Sequence, residues 1–134
     1  MRAVLDPNIL IAALLTRTGT RARLFSRWLT GGFELGASEK LIAELERALS
    51  YPKLRARISS NEADAFVAVL RSGVLLAADP DEPPRRSADP GDDYLIALAE
   101  QERAVLVSDD QHLLALADEL PIETARDFLA KLAG

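Results

Sequence analysis

The chain has no cysteine and a single histidine, His112. The first absence excludes a disulfide framework, a thiolate zinc site and a cysteine nucleophile, and the second leaves too little imidazole for a histidine-rich metal centre. Missing too is any uninterrupted apolar run long enough to span a bilayer. The N-terminus enters a strand almost at once, where a signal peptide would need a basic region, a longer apolar stretch and a cleavage site. A cytoplasmic protein without a membrane partner is therefore expected. Positive charge is in the minority: 16 Lys and Arg stand against 21 Asp and Glu, a formal net charge of -5, which argues against indiscriminate binding to a phosphate backbone.

At 134 residues the chain has the length of one domain and can bury a core without covalent staples, so residues 1–134 are read as a single unit. Its 49% hydrophobic and 28% charged residues are those of a globular protein with no low-complexity bulk. Charge is segregated in one place. Residues 16–29 carry Arg17, Arg21, Arg23 and Arg27 and no acid, a basic island on an acidic protein. The stretch "DPDEPPRRSADPG", residues 79–91, is rich in Pro and charge, but neither flank has the pattern of an independent domain, and it reads as a surface loop.

Short apolar segments at residues 2–5, 33–36, 73–77, 104–108 and 122–124 alternate with helical patterns at 6–15, 21–29, 38–49, 61–71, 92–102 and 111–120, and with a last helix running to 132. This alternation predicts an α/β protein of three layers, α/β/α, around a central parallel sheet of about five short strands, because parallel neighbours need crossover connections and are buried on both faces. Pro7 suits a first helical turn, which has no use for its N–H. Gly31-Gly32 suits the left-handed conformation past a helix end. Ser38 is a good cap for the helix that Tyr51-Pro52 stops.

Ligands of such sheets bind beyond the carboxyl ends of the strands. Asp6 follows the first strand directly, and Asp109 and Asp110 follow "AVLVS", so two strands deliver acids to one rim. The helix from about residue 92 adds a third. At roughly 100° per residue, Asp92 lies about 60° from Leu95 and about 20° from Ala99, whereas Asp93 points about 160° away from Leu95. Asp92 is expected to face inward and Asp93 water. On the helix over 38–49, Glu44 and Glu46 both flank the apolar face of Leu41, Ile42, Leu45 and Leu49, and periodicity does not choose between them.

Acids at one rim with no His or Cys among them suit a hard divalent cation, Mg²⁺ or Mn²⁺, which takes oxygen ligands and keeps waters that a phosphate can displace. Each acid also has a structural excuse. Asp6 and Asp110 are placed to cap helices, and Asp92 sits where a helix dipole favours a carboxylate. The functional reading rests on their coincidence. For the arginines, a solvated helix face is the common alternative; His112 reads as a surface residue, and Phe25 and Trp28 as core or interface.

The segments "VLDPNILIAALL", "FELGASEKLIAELERALSYPKL", "DPGDDYLIALAEQERAVLVSDDQHLL" and "IETARDFLAKL" together resemble the PIN domain, in particular the ribonuclease toxins of bacterial toxin-antitoxin systems, in family order and over nearly the whole chain. The resemblance implies a PIN-like fold and a metal-dependent endoribonuclease. Its acids fall on Asp6, Glu44, Asp92 and Asp110 as catalytic metal ligands, so that it selects Glu44 over Glu46. Asn8 and Ser108 would orient the ligands, and Arg17, Arg21, Arg23 and Arg27 would track an RNA backbone. A homodimer and a cognate antitoxin are implied as well. Two positions depart from the pattern: Pro7 replaces the more usual Thr, and His112 stands where relatives often have Asp. The rival from another class is a catalytically silent module that binds RNA or a partner protein. A haloacid-dehalogenase-type phosphatase also places an Asp after its first strand, but that family resembles Asp-x-Asp, and position 8 is Asn.

Overall fold

The computed structural model describes residues 1–133. Five strands, β1 (Arg2–Leu5), β2 (Glu34–Ser38), β3 (Leu75–Ala77), β4 (Val105–Val107) and β5 (Ile122–Glu123), form one sheet in the order β3-β2-β1-β4-β5. All four pairings are parallel, as strands linked through helices must be. Central β1 sets Leu5 opposite Val107 of β4, and Ala3, Val4 and Leu5 are buried. Helices flank the sheet in the expected three layers.

Among the described residues the α-helices are α1 (Pro7–Leu15), α2 (Thr20–Leu29), α3 (Glu39–Leu49), α4 (Pro52–Arg55), α5 (Ser60–Gly73), α6 (Asp93–Gln101), α7 (Gln111–Leu114) and α8 (Ala125–Ala133), with a short 3-10 turn at Pro90–Asp92 before α6. On α3 the buried face is Leu41, Ile42, Leu45 and Leu49, an apolar stripe that ties the helix to the sheet, each side chain contributing about 1.5–3 kcal/mol by its burial. Ser59 and Glu62 close a reciprocal capping box at the start of α5. Phe25 stacks on Phe66 with ring centroids 5.0 Å apart and meets Trp28 at 5.4 Å, so this aromatic group glues α2 to α5. Among the described residues, no helix is long and apolar enough to cross a membrane.

Three elements differ from the sequence pattern. Gly73, read as the start of the third strand, ends α5, and β3 begins at Leu75. Helix α4 is four residues long, too short to carry a period. Helix α7 stops at Leu114 rather than near 120, and tighter three-residue bonds from Leu116 to Leu113, Ala117 to Leu114 and Glu119 to Leu116 wind the chain onward. The chain then enters β5, where the Pro121 carbonyl accepts from the Leu106 N–H at 2.8 Å.

The topology positions a site. The chain proceeds from β1 outward to β2 and β3, then returns to the other side of β1 for β4 and β5. The order reverses between β1 and β4, and a crevice opens at the carboxyl ends of that pair.

Candidate active site

Asp6 leaves β1 at this crevice and is 5% exposed. Its N–H still donates to the Val107 carbonyl at 3.0 Å, so the backbone stays registered to β4 as the side chain enters the rim. The carboxylate caps α1, with Oδ1 accepting from the Asn8 N–H at 3.0 Å, while Oδ2 accepts from the Ser108 hydroxyl at 2.8 Å. Burial pushes its carboxyl above the ordinary range; these two bonds oppose the shift, and Asp110 and Glu44 add to it by charge. An ionised carboxylate has about four acceptor positions. The two bonds therefore leave capacity on both oxygens.

Ser108 is fully buried after β4, and its hydroxyl oxygen also accepts from the Asp110 N–H at 3.1 Å. Asp110 caps α7, its Oδ1 accepting from the His112 N–H at 2.8 Å. His112 is exposed. Asn8 is exposed as well and lines an open cleft of about 250 Å³ together with Asp6, Ala12, Arg21, Asp109 and Asp110.

Glu44, from α3, accepts from the Tyr94 hydroxyl at 2.7 Å. Tyr94 is itself buried on α6, with the Lys40 ammonium 4.6 Å from its ring centroid; burial and the Glu44 charge hold its phenol protonated, far above the ordinary range. Glu46 instead faces away and pairs with Arg71 at 3.5 Å. Periodicity left these two glutamates equivalent, and the partners separate them. Tyr94 is the site residue that sequence reasoning missed; the available signal was one hydroxyl-bearing aromatic in the apolar run after Asp92, since a buried Tyr needs a partner for its hydroxyl.

Asp92 and Asp93 reverse part of the expectation. Asp92 is half-buried and makes no capping bond to α6. Its carboxyl is pushed up to about 6 by burial first, then by the charges of Asp6, Asp89, Asp110 and Glu44. Asp93, expected in water, is 3% exposed. Its Oδ1 accepts from the Ser87 and Arg86 N–H groups at 2.8 and 3.1 Å, bonds which outweigh its burial and hold its carboxyl below the ordinary range. It pins the 79–91 loop against α6.

The arginines divide. Arg21 reaches the acidic cleft, where it pairs with Asp109 at 2.7 Å, while Asp109 Oδ1 also accepts from the Ala125 N–H. Arg23 and Arg27 line a different and larger cavity, about 520 Å³, against α8, and Arg17 is exposed in the bend between α1 and α2. The four expected to form one track therefore do not share one surface. The larger cavity has an apolar floor and none of the four acids, whereas the smaller cleft is lined by two of them, Asp6 and Asp110.

Four separate segments thus bring these acids near one another: Asp92 feels the charges of Asp6, Glu44 and Asp110, and Asp6 those of Glu44 and Asp110. Their donor chemistry fits a hard divalent cation: every group is a carboxylate, and a cation would relieve the repulsion that adds to burial in raising Asp92. Among the described residues no three His, Cys, Asp or Glu side chains are gathered at the spacing of one shared ion, so the fit is one of chemistry and charge.

A three-layer α/β/α fold with an acidic rim at its switch point defines the class of the protein. The sequence matches the family model of the PIN domain over residues 2–112. The chain belongs to the PIN domain family, whose members are generally nucleases. No curated protein matches it. Among solved structures, the fold is similar to PAE2754 from Pyrobaculum aerophilum, with a TM-score of 0.72 and 21% identity over 99% of this chain and 96% of that one. It is also similar to VapBC2 from Rickettsia felis, bound in that structure to a DNA fragment from their promoter (TM-score 0.64, 14% identity, 92% and 98% covered). VapBC-1 from nontypeable Haemophilus influenzae gives a TM-score of 0.62 at 16% identity, with 94% and 99% covered.

Proposed function

We propose that the protein is a metal-dependent endoribonuclease that hydrolyses RNA phosphodiester bonds, acting as the toxin of a toxin-antitoxin pair. The observation that carries the reading is Asp92, a carboxylate with no capping bond, held beside other acids although burial, and after it their charges, push it up to about 6. A group kept at such a cost without a structural use is a candidate for function. The family membership supports nuclease chemistry, and the likeness to VapBC2 and VapBC-1 supports an antitoxin as partner.

Asp6, Glu44, Asp92 and Asp110 would hold Mg²⁺ or Mn²⁺, which when bound supplies a Lewis acid for water activation and for the charge that develops on the phosphate. The chain's own residues prepare that site. Asp6 is fixed by two hydrogen bonds and Glu44 by one, so neither carboxylate must be ordered when substrate arrives. Asn8 stands in the cleft as a polar contact for the substrate. Arg21 offers a guanidinium to the phosphate backbone at the cleft edge. Water attacks phosphorus in line, the bond to the 3′ oxygen breaks, and that oxygen leaves as a hydroxyl. A homodimer, implied by the resemblance, belongs to the same proposal.

A pool of structured and single-stranded RNA, incubated with wild type and Asp6→Asn in Mn²⁺, Mg²⁺ or excess chelator, tests the reading. Cleavage that needs metal and is lost in Asp6→Asn is expected. RNA binding by both proteins with cleavage by neither, in any metal, would establish the silent module instead.

A further inference from the structure

The cavity between α2 and α8, about 520 Å³, is bordered by Arg23 and Arg27 from one helix and by Arg126, Leu129, Ala130 and Ala133 from the other. On α2, Arg23 and Arg27 stand one turn apart on one face, whereas Arg21 lies roughly 160° from Arg23 around the helix and turns to the acidic rim. Arg27 donates to the Leu132 carbonyl at 3.4 Å and lies against Gly32, where a Cβ would stand 3.0 Å from its Nε. It is held as a wall of the groove. Among the described residues none of the three arginines pairs with a carboxylate, on a chain whose net charge is -5.

We propose that this groove docks an acidic amphipathic helix of a partner protein. The floor of Leu129, Ala130 and Ala133 asks for an apolar stripe, since an extended polyanion would leave it wet. Three guanidiniums around that floor select carboxylates, which they meet bidentately. No aromatic lines the cavity, so unpaired bases have no platform on which to stack, and this disfavours single-stranded RNA as the occupant. The nine residues of α8 extend about 14 Å, room for two to three turns of a docked helix. The groove contains none of the acids of the proposed nuclease site, and its role does not depend on that reading.

The test uses the full chain and a fluorescein-labelled 15-residue helical peptide with leucines at i, i+3, i+4 and i+7 and glutamates on both flanks. Saturable binding is expected, weakened about tenfold when the glutamates become glutamines, and about as much by Arg23→Glu with Arg126→Glu. Leu129→Asp should weaken it independently. If the charge reversals impair folding, Arg23→Gln with Arg126→Gln reads the same loss. Binding equal for the glutamate and glutamine peptides, or unchanged by the arginine variants, overturns the proposal. So does displacement of the peptide by a 12-nucleotide single-stranded RNA whose own affinity falls with the same variants, which would make the groove a nucleic-acid track. Self-association abolished by those variants would assign it to a second copy of the chain and overturn the proposal too.

Discussion

The Ser108 hydroxyl donates to Asp6 Oδ2 at 2.8 Å, joining the residue after β4 to the residue after β1 across the switch point. The same oxygen accepts the Asp110 N–H. One buried side chain therefore sets the rotamer of one rim acid and the backbone of another. Ser108→Ala should lower stability by about 1–2 kcal/mol, the cost of an unmade bond at a buried site, read as a lower urea midpoint at unchanged slope. RNA cleavage should fall further than stability explains, with saturation by RNA little changed.

Asp92 makes opposite predictions for folding and activity. Its carboxyl has an ordinary value of 3.8 and is raised to about 6 in the fold, so between these values the folded state binds the proton that the unfolded state has released. Stability from this group is therefore full below about 3.8 and lost as pH rises through about 6. In chelator at pH 7.5, Asp92→Asn should gain on the order of 1 kcal/mol, discounted for partial exposure, and melt a few degrees higher. At pH 4 the gain should vanish, while metal-dependent cleavage is lost at every pH. A variant less stable than wild type at pH 7.5 would contradict the electrostatic account.

Tyr94 orders Glu44 through one hydroxyl. Tyr94→Phe keeps the ring, its packing and the Lys40 contact, and removes the donor 2.7 Å from Glu44. A hydrogen bond to a charged group is worth about 1.5–3 kcal/mol, and the half-buried Glu44 recovers part of that from water. The expected cost is about 1 kcal/mol in stability, with a several-fold rise in the Mn²⁺ concentration needed for half-maximal cleavage. An unchanged metal requirement would show that the hydroxyl does not position the glutamate.

The fold was legible because buried parallel strands and their crossover helices carry strong local patterns, and the rim followed from them, with Asp6 and Asp110 each one or two steps past a strand. What escaped was set by contacts far apart in sequence. Asp93 was assigned to water because periodicity places it on the outer face of α6. The loop carrying Arg86 and Ser87 folds back over that face and delivers two N–H donors, which no helical wheel contains. Glu44 and Glu46 are equivalent on α3 alone and are told apart by Tyr94 and Arg71, which lie on other helices. The basic island is continuous in sequence, but helical rotation splits it between the acidic cleft and the α8 groove.

Gly73 closes α5 against the indole of Trp28, the chain's single tryptophan. A Cβ there would stand 2.8 Å from Trp28 Cζ2 and 3.2 Å from Cη2. In a helix, Gly→Ala ordinarily gains about 0.5–1 kcal/mol from backbone entropy and propensity. Here the indole is 8% exposed and packed against Phe25, so it cannot swing aside without disturbing the aromatic contact between α2 and α5. Overpacking of this kind costs about 1–3 kcal/mol, which outweighs the gain. Gly73→Ala should therefore destabilise the protein by about 1 kcal/mol and alter Trp28 emission in the native state, since that ring is what must move. A more stable variant with unchanged emission would mean that the backbone at the end of α5 gives way instead.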